Sequence, residues 1–495
     1  MNLKLGSIIF VCITISSCVA TKNQNYSFNN KYSVDQVQQD LTLLKSILEA
    51  NHPSLYWYTS KDSLDYYFKE TIESIKDSLT EIEAKNKLSF WVSKINCGHT
   101  SVKFSKQFLA LAEKHKYPQF PLSIKTWKDS MVVLGRYNIE DSMLKRGTII
   151  TSINNTSSKD ILQKMFNYIS TDGYSNNLKS QVISNNFPAW YRNIMGLDSA
   201  FRIGYLDSLQ QEKFISIKVY QPKKDSSKKK EEKEVVKVSR AEKQARIRSL
   251  QIDSSNNNAY IRLSTFSKGN LGIFFRRSFR TIKQNNIQNV VIDLRENGGG
   301  SVEKSILLSK YLVKQPFKVG DTIAAKSKKF EYGRYIQGWL PYWFYMQFAA
   351  KKMSDGLYHN RRFETHFYQP KSSNHFDGQI YLVQGGFTFS ASTMFISSLY
   401  QQKNVTTVGE ETGGGFYGNS AMLIPTIVLP NTKLKVSLPI YKLVMDKNRP
   451  KGKGIMPDVE IYPNSKSIKK GLDLKLDSIN KMIIEAKISE NKKWN

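Results

Sequence analysis

The segment GQIYLVQGGFTFSASTMFISSLY, residues 378–400, joins a strand pattern to an apolar helical pattern. We expect a strand from Ile380 to Gln384 and a helix from about Ala391, so Ser390 stands at the turn between them. A serine there exposes its Oγ, and the N–H groups of the helix start can stabilise an oxyanion. Serine is also a preferred helix N-cap. The segment alone leaves both roles of Ser390 open.

A second strand, turn and helix occurs at NVVIDLRENGGGS, residues 289–301. The strand is expected from Val290 to Leu294, and Gly298, Gly299 and Gly300 form the turn. Three glycines let backbone N–H groups face an anion with no Cβ in the way. The turn lacks the Lys-Ser/Thr pair of a P-loop, which argues against a nucleotide site. The two units together predict an α/β core.

Composition limits the function classes. The 495 residues predict two or three domains, and a hydrophobic content of 40% is ample for packed cores. The net charge of +31 suggests a nucleic acid or an anionic membrane as partner. The lysines, however, are scattered and form no basic stripe with interleaved aromatics. We therefore predict no nucleic-acid partner.

The N-terminus resembles a targeting signal. Lys4 precedes the apolar run of residues 5–15, which is too short to span a bilayer as a mature helix. ISSC, residues 15–18, resembles the lipobox of bacterial lipoproteins, in which Cys18 is lipidated. Residues 1–18 are thus predicted to be a lipoprotein signal peptide, which gives a lipid-anchored protein of the cell envelope that faces the periplasm. The alternative is an ordinary secretory signal in which Cys18 has no role.

The rest of the chain divides into five further regions. Residues 31–115 show helical periodicity and predict a helical bundle that ends near NCGHTSV, with His99 in a turn. Residues 118–222 read as short strands, and residues 144–165 resemble the strand, turn and helix of PDZ domains; an unrelated small β domain is the alternative. A charged linker at 223–249 precedes the core at 250–465 and a helical tail at 466–495. A histidine in a turn, such as His99, is commonly a polar surface residue.

Four motifs occur in the order seen in one peptidase family: VIDLRENGGGS, FTFSASTMF, VGEETGGG and GKGIMPDVEI. Their order and spacing resemble the S41 serine peptidases, which comprise the C-terminal processing or tail-specific proteases and their tricorn-like relatives. The resemblance implies an α/β multidomain protein with an N-terminal helical bundle, a PDZ-like β domain and a ClpP/crotonase-like catalytic core. It also implies a serine endopeptidase with protein or peptide substrates and no cofactor.

The resemblance assigns roles to individual residues. Ser390 matches the nucleophile, and the N–H groups of Ala391 and of Gly298, Gly299 or Gly300 match the oxyanion hole. Thr412 matches the threonine after the Gly-Glu pair. The processing proteases place a lysine where this chain has Gly415, and no lysine occurs between Lys403 and Lys433. A Ser-Lys dyad is therefore not expected.

The tricorn-like branch uses a histidine instead, and His99 matches it. A neutral imidazole is a competent base near physiological pH. The acid that orients it is not evident, because Lys451 and Gly452 stand where tricorn-like sequences carry a glutamate. Asp446 and Glu411 are the candidates. Without a dyad lysine or an assigned acid, the alternative is a catalytically inactive peptide-binding lipoprotein that retains the fold.

Two further features are an internal cysteine and an aromatic-rich segment. Cys97 is accompanied by no oxyanion turn, and the remaining histidines lack metal-ligand spacing, so neither a thiol nucleophile nor a metal site is predicted. Residues 336–353, IQGWLPYWFYMQFAAKKM, are dense in aromatics. A buried helix of the core is the favoured interpretation. A lid over the substrate and an element that contacts the membrane are the alternatives.

Overall fold

The computed structural model describes residues 26–138, 143–222 and 239–493. The predicted signal peptide with Cys18 and the charged stretch 223–238 lie outside the described residues. Within these ranges, no helix combines the length and the hydrophobicity needed to cross a bilayer.

The N-terminal region is mainly helical. Its elements are β1 (Lys31–Tyr32), α1 (Val34–Asn51), α2 (Lys61–Glu73), β2 (Leu79–Thr80), α3 (Glu81–Ser93), β3 (Val102–Lys103) and α4 (Lys106–Lys114). Ser33 begins α1 with a capping box to Gln36, as the local sequence predicts. Leu41 and Leu44 are fully buried in a hydrophobic cluster that also contains Val436 of the C-terminal half. The helices therefore share a core with the rest of the protein.

The next region is a six-stranded antiparallel sheet covered by three helices. Its elements are β4 (Leu122–Trp127), β5 (Ser130–Arg136), β6 (Ile149–Ile153), β7 (Thr156–Ser157), α5 (Ser158–Phe166), α6 (Asn177–Asn185), α7 (Phe187–Met195), β8 (Ala200–Leu206) and β9 (Glu212–Lys218). Asn154 and Asn155 form the turn after β6 with φ of 49° and 65°. Asparagine tolerates this left-handed conformation, so the turn forms without glycine.

The C-terminal half contains the remaining elements. They are α8 (Arg240–Ile247), β10 (Arg248–Asp253), β11 (Asn258–Leu263), α9 (Leu271–Gln284), β12 (Asn289–Asp293), α10 (Val302–Ser309), β13 (Thr322–Ala325), β14 (Ile336–Gln337), α11 (Trp339–Ala349), β15 (Lys351–Lys352), β16 (Tyr358–His359), α12 (Arg361–Thr365), β17 (Gln379–Gln384), α13 (Ala391–Leu399), β18 (Val405–Gly409), β19 (Gly418–Ala421), β20 (Thr426–Val428), β21 (Lys435–Ser437), β22 (Tyr441–Val444), β23 (Val459–Glu460), α14 (Ser465–Lys470) and α15 (Leu474–Lys493).

The central sheet of this half has the strand order β10-β11-β12-β17-β18-β23. All neighbours are parallel except β10 and β11. Because β12 and β17 are adjacent and parallel, their carboxyl ends meet at the same edge. The glycine turn after β12 and the serine turn after β17 therefore come together. On one face of the sheet, α15 covers β17 and β18 through Ile479 and Ile483.

Two smaller sheets complete the C-terminal half. One has the order β15-β16-β13-β22-β19, so β19 is an edge strand. The other has the order β14-β20-β21-β3 and ties the N-terminal region to the core, with Val102 opposite Val436. This pairing fixes the segment that follows His99.

The aromatic insert differs from the favoured prediction. Helix α11 was expected to be buried in the core, but Met346 is its one buried residue. Phe348 is 78% exposed and Phe344 is 60% exposed. The prediction of a buried helix is wrong, because neighbouring elements of the described chain bury Met346 and leave the other side chains of the helix partly or fully exposed.

Candidate active site

Ser390 lies in a strained turn between β17 and α13. Its φ of 55° and ψ of −122° are unusual for a residue with a side chain, and such a conformation costs about 1–3 kcal/mol. The side chain makes no capping hydrogen bond to α13. The helix-cap role that the sequence left open is therefore not observed. Ser390 instead lines a cavity of about 740 Å³.

The glycine turn packs directly against Ser390. A Cβ added to Gly299, whose φ is 96°, would lie 2.8 Å from the Ser390 Cβ and 2.9 Å from the Ala391 nitrogen. The Gly299 N–H donates to the Asn297 Oδ1 at 2.9 Å, so this N–H is occupied. Glycine is required at this contact because any side chain would collide with the serine turn.

The neighbouring amides remain available to an anion. Within the described residues, the N–H groups of Gly298, Gly300 and Ala391 make no hydrogen bond to the protein. Ala391 is the first residue of α13, where the partial positive charge of the helix dipole favours an anion. Of the four residues predicted to form the oxyanion hole, these three have a free donor.

His99 is brought to the cavity by close packing of its loop on the serine turn. A Cβ on Gly98 would lie 2.6 Å from the Phe389 Cζ, and the His99 and Phe389 rings are 4.6 Å apart between centroids. Phe389 directly precedes Ser390, and His99 and Ser390 line the same cavity. Burial lowers the pKa of His99 to about 4, so the imidazole is neutral at physiological pH.

The two carboxylates predicted to orient His99 have other partners. Glu411 accepts hydrogen bonds from the Gly454 N–H at 2.7 Å and the Ser175 hydroxyl at 2.8 Å. Asp446 pairs with Arg449 at 2.8 Å and lines a different cavity. In the part of the chain that the structure describes, the buried His99 Nδ1 has no hydrogen-bond partner.

Asp172 was not identified from the sequence. It lies in the loop between α5 and α6, is 1% exposed, and accepts a hydrogen bond from the Gly98 N–H at 2.8 Å. Burial raises its pKa to about 7, while hydrogen bonds from the Gly98 and Gly415 backbones lower it. Its Oδ2 is buried without a partner among the described residues. The carboxyl group thus contacts both the His99 loop and Gly415, the position expected for the dyad lysine.

Two further polar residues shape the cavity. Asn419 of the edge strand β19 lines it, is 1% exposed, and has no hydrogen-bond partner for either amide atom within the described ranges. Thr412 donates to the Gly414 carbonyl at 2.9 Å and accepts from the Ile455 N–H at 2.8 Å. Thr412 thereby holds the glycine-rich loop in place. No local sequence signal singles out Asp172 or Asn419.

Cys97, two residues before His99, is not an activated thiol. Burial raises the pKa of the free Cys97 thiol to about 12, so the thiol stays protonated at physiological pH. Across residues 26–138, 143–222 and 239–493, no group of three or more His, Cys, Asp or Glu side chains has the arrangement of a metal site.

Residues 257–461 match the model of peptidase family S41. The chain carries a peptidase S41 domain. The matched range contains the glycine turn, Ser390 and Thr412, whereas His99 and Asp172 lie before it. The S41 domain therefore supplies the serine turn, and the N-terminal regions add the other polar groups of the cavity.

Solved structures resemble the chain over most of its length. Mature CPAF matches with a TM-score of 0.62 and 12% identity, covering 91% of this chain and 97% of that one. Mature CPAF complexed with lactacystin matches with a TM-score of 0.60 and 13% identity, covering 91% and 98%. At this identity the likeness shows the fold, a mixed α/β multidomain architecture. Curated protein sequences gave no match.

Proposed function

We propose that this protein is a serine endopeptidase that hydrolyses peptide bonds in proteins or peptides. The observation that carries the proposal is the strained turn at Ser390, packed against the glycine turn in a cavity that His99 also lines. Backbone strain of this kind persists where the surrounding structure imposes it, and it is frequent at active sites. Family S41 membership of the domain supports protein or peptide substrates.

The proposed reaction is an acyl transfer. The Ser390 Oγ attacks the peptide carbonyl carbon while the neutral His99 imidazole takes the hydroxyl proton. The negative carbonyl oxygen accepts hydrogen bonds from the free N–H groups of Ala391 and of Gly298 or Gly300. His99 then protonates the leaving amine as the C–N bond breaks. Water, deprotonated by His99, then attacks the acyl carbon; the bond to the Ser390 Oγ breaks, and His99 returns the proton to the serine.

Asp172 is proposed as the residue that positions His99. Of the three carboxylates considered, Asp172 alone hydrogen bonds to the segment that carries the histidine. It acts through the Gly98 N–H and also contacts the Gly415 backbone, so it ties the histidine loop to the glycine-rich loop. We therefore assign to Asp172 the orienting role for which Glu411 and Asp446 were the candidates from the sequence.

The decisive test is a comparison of two serines at the same helix. Ser390→Ala should abolish peptide hydrolysis and labelling by a serine-directed fluorophosphonate, while Ser397→Ala, on the same helix but outside the cavity, should retain both. Circular dichroism checks that each variant is folded. Undiminished hydrolysis by Ser390→Ala would remove this serine from the mechanism. A wild-type protein that binds peptides but is never labelled would favour the inactive peptide-binding alternative.

We further propose that the protein is a lipoprotein of the cell envelope, anchored through Cys18 and facing the periplasm. The support is the ISSC sequence after a short apolar run. Cys18→Ser should move the protein from the membrane fraction towards the soluble fraction, because the acyl chains are lost. Unchanged incorporation of labelled palmitate in this variant would contradict the anchor.

A further inference from the structure

Helix α11 exposes an apolar surface of unusual density. Six of its eleven residues are large hydrophobic side chains that are more than one third exposed: Trp339, Leu340, Trp343, Phe344, Tyr345 and Phe348. The helix contains no charged residue. Monomeric soluble proteins rarely expose contiguous apolar patches of this kind unless another body covers them.

Unpaired cations border this surface. Residues 326–362 contain eight Lys or Arg and two acidic residues. Lys351 and Lys352 follow the helix directly and are exposed, and Arg361 lines the groove of about 720 Å³ that Phe344 and Phe348 also line. Within the described residues, none of these three cations belongs to an ion pair. Glu303 is the acidic residue on the same groove.

We propose that helix α11 docks on an anionic lipid membrane, with its aromatic side chains among the headgroups and the flanking cations on lipid phosphates. Trp, Tyr and Phe beside Lys and Arg are the composition that binds the interfacial region of bilayers. A second copy of the chain fits less well, because docking two such surfaces would bring their unpaired cations together. The overall charge of +31 adds long-range attraction to anionic lipid.

Docking in this way would bring the active-site cavity close to the bilayer. Tyr345 lines both the groove beside α11 and the cavity that contains Ser390. The helix is therefore continuous with the rim of the cavity. The membrane contact depends on neither the peptidase activity nor the lipid anchor, since it rests on the surface of α11 alone.

A local fluorophore separates this contact from other modes of binding. In the full chain with Cys12→Ser and Cys18→Ser, a polarity-sensitive dye is attached at Phe348→Cys or, as a control, at Phe214→Cys, an exposed aromatic position on β9. The remaining Cys97 is buried. Vesicles of equimolar phosphatidylcholine and phosphatidylglycerol should blue-shift the emission at position 348 but not at position 214. Vesicles of phosphatidylcholine alone should produce a smaller shift.

Partition measurements add the energetic test. Trp343→Ser with Phe348→Ser should lower binding to the mixed vesicles by at least about tenfold, because two aromatic side chains that would enter the headgroup region are lost. Lys351→Gln should lower it about fivefold and should reduce the dependence on salt. Phe214→Ser should leave binding unchanged.

Three outcomes would overturn the proposal. The first is no blue shift at position 348 with the mixed vesicles. The second is an equal shift at positions 348 and 214, which indicates non-specific adsorption. The third is a shift at position 348 that appears without lipid and grows with protein concentration, which indicates self-association through α11. Peptidase activity is not a readout, so failure here is distinct from failure of the proposed function.

Discussion

The substitution Asp172→Asn tests the buried carboxyl beside the histidine loop. Asparagine keeps the shape of the side chain and one carbonyl oxygen for the Gly98 N–H, which Asp172 accepts at 2.8 Å. It removes the group that ionises. The substitution is therefore expected to change the pH dependence of stability while most of the activity is retained.

The expected effect on stability follows from the raised pKa of Asp172. Burial moves this pKa from 3.8 to about 7, a difference that corresponds to roughly 4 kcal/mol. Because the folded-state pKa lies above the unfolded-state value, the contribution of Asp172 to stability is greatest below pH 3.8 and is lost as the pH rises through about 7. Asparagine does not titrate. The stability of the variant relative to wild type should thus increase between about pH 4 and 7 and then level off.

Urea unfolding of both proteins at several pH values from 4 to 8.5 measures this difference, with roughly 4 kcal/mol as the upper range of the change. In parallel, Asp172→Asn should retain most of the kcat for a peptide substrate at pH 6, whereas Asp172→Ala, which loses the contacts to Gly98 and Gly415, should lose at least about tenfold. A stability difference that does not vary with pH would refute the raised pKa of the buried Asp172 carboxyl. A fully active Asp172→Ala would refute its positioning role.

Three further predictions concern the cavity. His99→Ala should lower kcat by about 10²–10⁴, as expected for a general base. In a pH-rate profile, wild-type activity should persist below pH 6.5 and fall as acid protonates His99 near its lowered pKa of about 4. Gly299→Ala should abolish hydrolysis, since its Cβ would lie 2.8 Å from the Ser390 Cβ at a backbone φ of 96°; a variant with wild-type kcat/KM would contradict this packing. Asn419→Ala should lower kcat/KM about tenfold while the fold is retained by circular dichroism, because a buried amide that is free to bind substrate is lost; an unchanged value would exclude Asn419 from substrate binding.

The sequence alone determined the local units of the C-terminal α/β core. The strand predicted at Ile380 to Gln384 is observed as Gln379–Gln384, and α13 begins at Ala391 as expected. The glycine turn between β12 and α10 was predicted in the same way. These units are readable because hydrophobic periodicity, helix capping and glycine turns depend on residues within a few positions of one another.

The tertiary structure decided the features that depend on distant contacts. Gly98 and Asp172 are separated by 74 positions, so no local pattern reveals their hydrogen bond. Glu411, plausible from the sequence, likewise bonds to Gly454, which lies 43 positions away. Asp446 pairs with Arg449 only three positions away, but its place on a different cavity is set by the tertiary structure. The exposure of α11 and the lowered pKa of His99 also cannot be predicted from the sequence. Burial and desolvation depend on which elements of the folded chain surround a side chain.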